Sequence, residues 1–216
     1  MNEAVIFDMD GVIVDSESRH EKAFLEVVEQ IGFGGRHGLR FEEYIGRTDH
    51  DLWRDFIATN QPPHALEDLL AMKNRRVVEI IRQDQPLFAG LPELVEKLSK
   101  HYRLALASGS ERPIVDEVLA LRGLKRFFSA TLAGSEINRG KPDPEIFLRA
   151  AALLGVEPAQ CWVIEDSKPG VVAGLAAGMR VIAITNTHSA GNLRNATRVV
   201  RTYPEIQDIL LGTLAG

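Results

Sequence analysis

Residues 3–17 read EAVIFDMDGVIVDSE, and this stretch decides the fold. Four of its first five residues are apolar, and turn-forming residues follow them, which is the pattern of a short strand buried on both faces. Asp8 and Asp10 come directly after that strand. Because open parallel sheets bind ligands at the carboxyl ends of their strands, the sequence predicts that chemistry takes place here.

Further apolar segments with the same pattern follow along the chain. They lie at 103–107, 130–133, 161–164 and 180–184, with a shorter sixth candidate at 198–200. Helical patterns at 91–100, 112–121, 144–154 and 168–177 separate them, with proline in first turns and glycine after last turns. Strands that alternate with helices predict an α/β fold whose parallel sheet is covered by helices on both faces.

Residues 16–85 break this alternation. Three helical patterns, at 17–31, 50–59 and 66–81, follow one another there with no clear strand between them. A crossover between two parallel strands needs only one helix. We therefore predict a core domain formed by residues 1–15 and 86–216 and an all-helical domain, residues 16–85, inserted into it. One very long crossover within a single domain is the alternative.

The composition bounds the class of protein. The 216 residues are 45% hydrophobic and 25% charged, which suits a folded core. A net charge of -5 without a basic cluster disfavours nucleic acid and anionic lipid as partners. The single cysteine, Cys161, excludes an intramolecular disulfide and a cysteine-based zinc cluster, and we expect it in the core.

The chain also gives expectations about its location and its assembly. No apolar run approaches the ~18 residues that a membrane span needs. The N-terminus enters a strand pattern at once and lacks the pattern of a secretory signal. We expect a cytoplasmic protein with a small-molecule partner and no membrane partner. The oligomeric state is open, with a monomer favoured.

Polar clusters follow other predicted strands as well. Segment 108–110 (SGS) follows the second strand, and segment 165–167 (EDS) follows the fourth. A further cluster, 139–144 (RGKPDP), opens the third core helix. Taken alone, each has a structural explanation as a turn, a helix start or a solvated loop. Their joint placement on one alternating framework favours a catalytic site.

Acidic groups at the ends of adjacent buried strands would repel one another, and their pKa values would rise unless a cation compensates. Mg²⁺ prefers oxygen ligands and binds through a few carboxylates while it keeps several waters. Asp8, Glu165 and Asp166, with the backbone carbonyl of Asp10, are a suitable set. No histidine is placed to complete a transition-metal site.

Asp8 also suits a second task, because a carboxylate can attack phosphorus and form an aspartyl-phosphate. Asp10, two residues away, is close enough to protonate the leaving oxygen and later to activate water. Lys141 can offset the charge of nucleophile and phosphate together. The phosphoryl oxygens would be held by the Ser108 hydroxyl and by the backbone N–H groups of Gly109 and Ser110.

These residues resemble the motifs of the haloacid dehalogenase superfamily of phosphatases. Segment 8–17 (DMDGVIVDSE) is similar to the first motif of the subgroup that includes β-phosphoglucomutase and small sugar-phosphate phosphatases. Ser108, Lys141 and segment 165–167 correspond to the second, third and fourth motifs. The resemblance covers essentially the whole chain. It implies a Rossmann-like core with a mobile helical cap inserted after the first motif.

The resemblance also implies a role for each matched residue. Asp8 would be the nucleophile and a metal ligand, and Asp10 the general acid and base. Phosphate would be bound by Ser108 and Lys141. Glu165 and Asp166 would complete the Mg²⁺ site.

In this family the cap helps to choose the leaving group. Segment 44–50 (YIGRTDH) falls where the cap specificity loop is expected, and His20 and Lys73 resemble cap positions of β-phosphoglucomutase. In that enzyme an arginine after the small residue of the loop holds the second phosphate of a bisphosphate intermediate. Here Asp49 has that place, while Arg47 offers a different contact for a substrate anion. This departure favours a phosphatase over a mutase.

We therefore expect a magnesium-dependent phosphomonoesterase that acts on a small phosphorylated metabolite, by resemblance a sugar phosphate, through an aspartyl-phosphate. The alternative is an isomerase of the β-phosphoglucomutase type. A remote alternative is a non-catalytic signalling module phosphorylated on aspartate, although receiver domains are smaller and have no inserted cap. A dehalogenase is disfavoured because Asp10 and the pair Glu165–Asp166 point to phosphate and metal.

Overall fold

The computed structural model describes residues 3–40 and 49–212. The chain divides into two compact units, Met1–Asp15 together with Gln85–Gly216, and Ser16–Asp84. We call the first the discontinuous unit and the second the inserted unit. Across the two described ranges, no helix combines the length and the apolar character that crossing a membrane requires.

A six-stranded parallel sheet forms the centre of the discontinuous unit, and the predicted α/β fold is confirmed. The strands are β1 (Ala4–Phe7), β2 (Arg103–Ala107), β3 (Ala130–Leu132), β4 (Cys161–Glu165), β5 (Arg180–Ile184) and β6 (Arg198–Val200). Their order across the sheet is β3-β2-β1-β4-β5-β6. β1 therefore lies between β2 and β4, so the carboxyl ends of these three strands are neighbours.

Eight α-helices accompany the sheet in the described part of the chain. The inserted unit contains α1 (Glu17–Gln30), α2 (Asp49–Asn60) and α3 (Leu66–Asp84). The discontinuous unit contains α4 (Leu91–Leu98), α5 (Arg112–Ala120), α6 (Glu145–Leu154), α7 (Lys168–Ala176) and α8 (Tyr203–Gly212). Short 3-10 segments lie at Leu121–Phe127, Gly134–Glu136 and Pro158–Gln160.

Alternate strand residues build one side of the core, as the period of two in a strand requires. The cluster includes Ile6 and Val163 from the central strands and Phe147 and Val171 from α6 and α7. Cys161 belongs to the same cluster, so its predicted burial is confirmed, and that burial raises the pKa of its thiol to about 11.

The inserted unit has an aromatic core of its own. Phe24, Trp53 and Phe56 contact one another with ring centroids 4.8 to 6.2 Å apart, in tilted or edge-on arrangements that aromatic pairs favour. Val27, Val28, Leu52 and Leu69 complete this cluster. The three predicted helices are all present, each ending within three residues of its expected bounds.

Candidate active site

The turn after β1 presents the first acidic pair. The N–H of Asp8 continues the ladder by donating to Ile164 O at 2.9 Å, and the Met9 carbonyl accepts from the N–H groups of residues 12–14. Gly11 has φ +75°, and a Cβ at this position would lie 1.8 Å from Asp166 Oδ2. Only glycine fits, because of both its backbone conformation and the close approach of that carboxylate.

Lys141 joins the acidic residues of two strands. Its Nζ donates to Asp8 Oδ1 and to Glu165 Oε1, each at 2.6 Å. Burial would lower the pKa of Lys141, but the charges of Asp8 and Glu165 raise it above its ordinary value. The lysine therefore remains charged, and it holds the Asp8 carboxylate in one orientation.

Glu165, the last residue of β4, is fully buried and held from several sides. Its Oε2 accepts from the N–H groups of Asp166 and Ser167, both at 2.8 Å, and from Ser167 Oγ at 2.9 Å. Ser167 also caps α7 by accepting from Gly170 N at 3.1 Å. A Cβ on Gly170 would lie only 1.6 Å from Glu165 Oε1, so the start of α7 closes over this carboxylate.

Three buried carboxylates form a candidate metal centre. Asp8, Glu165 and Asp166 each offer an oxygen within 4.8 Å of the others. Burial, opposed by Lys141 and reinforced by the neighbouring acids, raises the pKa of Asp8 well above its ordinary value. Burial and the charge of Glu165 raise the pKa of Asp166 to about 7. One lysine against three carboxylates leaves negative charge in excess, and a hard divalent cation fits this oxygen donor set.

Asp10 has different partners from those of Asp8. Its Oδ2 accepts from Ser108 Oγ at 3.1 Å and from Ser110 Oγ at 2.8 Å. The N–H of Ser110, which we expected to hold a phosphoryl oxygen, donates to Ser108 Oγ at 2.9 Å. Gly109 between them is exposed. The polar segment 108–110, which follows β2, thus lies against Asp10.

The predicted core residues therefore lie together at the carboxyl ends of the central strands. Asp8 and Asp10 follow β1, Ser108 follows β2, and Glu165 and Asp166 lie at the end of β4. Lys141 reaches the same cluster from the loop before α6.

Two of the predicted cap residues contact each other within the inserted unit. Lys73 is fully buried, and its Nζ donates to both carboxylate oxygens of Asp49 at 2.5 Å and lies 2.8 Å from His20 Nδ1. Burial alone would raise the pKa of Asp49, but Lys73 and His20 hold it below its ordinary value. The third cap residue that we predicted, Arg47, lies outside the described residues.

The segment after β5 contributes two contacts to the site that the sequence patterns did not predict. Asn186 Nδ2 donates to Gly11 O at 2.8 Å, and Thr187 Oγ1 donates to Asp166 Oδ2. The signal was available, because 185–188 (TNTH) is a polar cluster directly after an apolar strand. The contact of Tyr203 with the same turn, 2.7 Å from its Oη to Val12 O, had no comparable signal in the sequence.

Comparison with known proteins gives one consistent result. A family model described as haloacid dehalogenase-like hydrolase matches residues 5–184. The chain is 34% identical over 188 residues to fructose-1-phosphate phosphatase YqaB of Escherichia coli K12, covering 83% of this chain and 95% of that protein. It is 31% identical over 209 residues to a phosphorylated carbohydrates phosphatase of Thermotoga maritima, covering 94% and 95%.

A solved structure gives the same result for the fold. The crystal structure of β-phosphoglucomutase from Clostridium difficile matches with a TM-score of 0.76 and 25% identity, covering all of both chains. With the family model spanning most of the chain and the relatives above 30% identity, the resemblance seen in the sequence motifs is confirmed. The chain belongs to the haloacid dehalogenase-like hydrolase family.

Proposed function

We propose that this protein is a magnesium-dependent phosphomonoesterase that acts on a small phosphorylated metabolite, a sugar phosphate, through an aspartyl-phosphate on Asp8. The observation that carries the proposal is the buried Asp8 carboxylate, 2.6 Å from Lys141 and surrounded by further carboxylates at the ends of the central strands. The names of the two relatives, a fructose-1-phosphate phosphatase and a phosphorylated carbohydrates phosphatase, support the substrate class.

In the first half-reaction an oxygen of Asp8 attacks phosphorus, and the bond between phosphorus and the ester oxygen breaks. Asp10 gives a proton to the leaving alcohol. In the second half-reaction Asp10 takes a proton from water, which attacks the same phosphorus. The bond to Asp8 then breaks, and inorganic phosphate leaves. Lys141 keeps the nucleophile oriented and offsets its charge through both steps.

Asp8, Glu165 and Asp166, with the carbonyl of Asp10, would hold Mg²⁺, which when bound would supply positive charge to the phosphoryl oxygens. Ser108 and Gly109 would bind the phosphoryl group with Lys141. In the structure Ser108 Oγ already lies 3.1 Å from Asp10 Oδ2, which supports a shared place in the reaction.

We further propose that residues 1–15 and 86–216 form the catalytic core and that residues 16–85 are the cap that selects the leaving group. His20, Arg47 and Lys73 are its proposed substrate contacts. Lys73 is already neutralised by Asp49, which supports a leaving group without a second phosphate. The cytoplasmic location and the monomeric state stay predictions of the sequence.

The alternative function is a β-phosphoglucomutase-like isomerase, which the similarity to the Clostridium difficile enzyme favours. Purified protein with Mg²⁺ would be given hexose 1-phosphate and a trace of hexose bisphosphate. We expect free sugar and inorganic phosphate in equal amounts. Hexose 6-phosphate formed without stoichiometric phosphate release would replace the phosphatase by the isomerase.

The same preparation tests the remote alternative and the substrate. Steady phosphate release from p-nitrophenyl phosphate would exclude a signalling module that is phosphorylated once. A panel of phosphorylated metabolites then ranks substrates by kcat/KM, and we expect sugar phosphates to lead. A panel in which aromatic or nucleotide phosphates lead by more than about tenfold would contradict the sugar-phosphate assignment.

A further inference from the structure

Two side chains outside the sequence motifs hold the turn that carries Asp10. Asn186, just after β5, donates from Nδ2 to Gly11 O at 2.8 Å. Tyr203, the first residue of α8, donates from Oη to Val12 O at 2.7 Å. The same Asn186 Nδ2 lies 3.0 Å from Tyr203 Oη, so the two side chains form one connected pair.

Tyr203 is buried and packed and Asn186 is partly buried, so the geometry of the pair is constrained. Tyr203 is 7% exposed, and its ring packs against Phe88 with centroids 6.3 Å apart. Burial raises the pKa of Tyr203, so its hydroxyl keeps the proton that it donates. A hydrogen bond made by a buried group such as the Tyr203 hydroxyl is costly to leave unmade.

The two carbonyls that these side chains bind belong to the residues immediately after Asp10. The turn is fixed on its other side too, since Gly11 N donates to Val14 O at 2.9 Å and Ile13 N donates to Met9 O at 2.8 Å. The N–H groups of the same two peptide planes donate to Met9 O, so Asn186 and Tyr203 hold these planes from the carbonyl side. The first of those planes adjoins the peptide plane between Asp10 and Gly11, so the position of the turn affects where the Asp10 carboxyl lies.

We propose that Asn186 and Tyr203 are positioning residues for Asp10 and that they keep its carboxyl aligned for proton transfer to the leaving oxygen. This inference rests on the proposed function, in which Asp10 is the general acid. An alcohol leaves as a strong base and needs that proton, whereas p-nitrophenolate leaves readily without it. Loss of the positioning contacts therefore slows alkyl phosphates selectively.

The test compares one sugar phosphate with p-nitrophenyl phosphate in the wild type, in Tyr203→Phe and in Asn186→Leu. We expect kcat/KM for the sugar phosphate to fall about tenfold and that for p-nitrophenyl phosphate to fall less than about threefold, because small misalignments of catalytic groups are costly. Since both side chains act on one turn, the double variant should lose much less than the product of the single losses.

Tyr102→Phe is the matched control. Tyr102 is also buried in the discontinuous unit, and its hydroxyl also donates to a backbone carbonyl, Leu210 O at 2.7 Å, on α8. We expect it to lower thermal stability about as much as Tyr203→Phe does and to leave the ratio of the two kcat/KM values within about twofold of the wild type.

Equal losses on both substrates in Tyr203→Phe and Asn186→Leu, or no loss, would overturn the positioning role. The same substrate selectivity in Tyr102→Phe would overturn it too. The proposed function fails separately, if the wild type hydrolyses neither substrate or if Asp10→Asn leaves hydrolysis of the sugar phosphate near normal.

Discussion

Asp8 has more acidic than basic neighbours, and this governs what single substitutions do. Lys141 lies 2.6 Å from it, but Glu165, Asp166 and Asp10 all act on it with the opposite sign. Burial and these acidic neighbours together raise the pKa of Asp8 although it is part of an ion pair. Its ionised form, which is the proposed nucleophile, depends on added positive charge.

The first prediction concerns the acidic pair after β1. Asp8→Asn should remove turnover completely, because an amide does not attack phosphorus, and Asp10→Asn should slow sugar-phosphate hydrolysis by about 10² to 10⁴. Steady-state phosphate release measures both. Asp116→Asn, the same chemical change at an exposed position on α5, is the control and should have near wild-type activity. Near-normal turnover in Asp8→Asn would refute the mechanism.

Among helices, α7 gives the second prediction, since two of its glycines meet different neighbours. A Cβ on Gly170 would lie 1.6 Å from Glu165 Oε1, whereas one on Gly174 would lie 2.8 Å from Val181 Cγ2. Both alanine variants should lose about 1 to 3 kcal/mol of unfolding free energy through overpacking. Only Gly170→Ala should also lower kcat, by about tenfold or more, because it displaces the carboxylate that holds Lys141.

Urea denaturation and phosphate release together measure these effects. Equal activity in Gly170→Ala and Gly174→Ala would show that the start of α7 does not control Glu165.

The third prediction concerns the contact between α2 and α3. Asp49→Ala leaves the fully buried Lys73 without its carboxylate and should cost about 2 kcal/mol, between the values typical of exposed and buried pairs. Lys73→Met keeps the stem volume, removes the charge and leaves Asp49 partly hydrated, so it should cost less than about 1 kcal/mol.

Fluorescence can follow this unit alone, because Trp53 is its only tryptophan and Trp162 is the only other one in the chain. Urea unfolding would be followed through Trp53 in a Trp162→Phe background. Glu26→Gln, which breaks the more exposed pair with Arg76, should cost less than about 0.5 kcal/mol. A larger loss in Lys73→Met than in Asp49→Ala would contradict the assignment of the buried charge.

Elements were predictable where local chemistry decides them. β2 and β5 have the predicted bounds because a short apolar run ends at a polar residue in each. Helix α8 was missed, since only Tyr203, Ile206 and Leu210 of its residues are buried and the pattern is too sparse to indicate a helix. The order of the strands in the sheet could not be predicted from the hydrophobic pattern. It depends on which strands pair across long separations in the sequence, and the residues of a single strand do not determine that.

The residues of the site were predictable to the same extent. Asp8, Lys141 and Asp166 were found because they follow strands or open helices. Tyr203 was not, because its role follows from a contact with Val12, which is far away in the sequence and whose carbonyl has no identifying side chain.

The whole molecule gives the fourth prediction, which concerns pH and metal. Asp166 has its pKa raised from 3.8 to about 7, and that of Asp8 is raised too. Between about pH 3.8 and pH 7, the two pKa values of Asp166, the folded protein binds more protons than the unfolded chain. The free energy of unfolding therefore falls as pH rises through this window, with the contribution complete below about 4 and lost above about 7. Groups whose pKa is lowered, such as Asp49, change the free energy of unfolding only at pH values below this window.

In EDTA we therefore expect the thermal midpoint to fall between about pH 5 and pH 7.5. In the proposed function Mg²⁺ binds the ionised carboxylates, so it should reduce this fall, with about 2.7 kcal/mol gained at 100 times its Kd. Asp166→Asn should flatten the pH dependence and weaken the effect of Mg²⁺. A midpoint that rises over this range in EDTA, or an equal effect of Mg²⁺ at both pH values, would contradict the prediction. Differential scanning calorimetry measures both.

The central position of β1 sets when the enzyme can become active during its synthesis. The chain pairs Ala4 with Arg103 on one side and with Cys161 on the other, so the strand that precedes Asp8 leaves the ribosome long before either neighbour. At ordinary translation rates the wait for Cys161 is on the order of 10 s or longer. The inserted unit, which is the single continuous segment Ser16–Asp84, can fold within that interval. Of the six strands of the sheet, β1 is thus made first and is among the last to be enclosed.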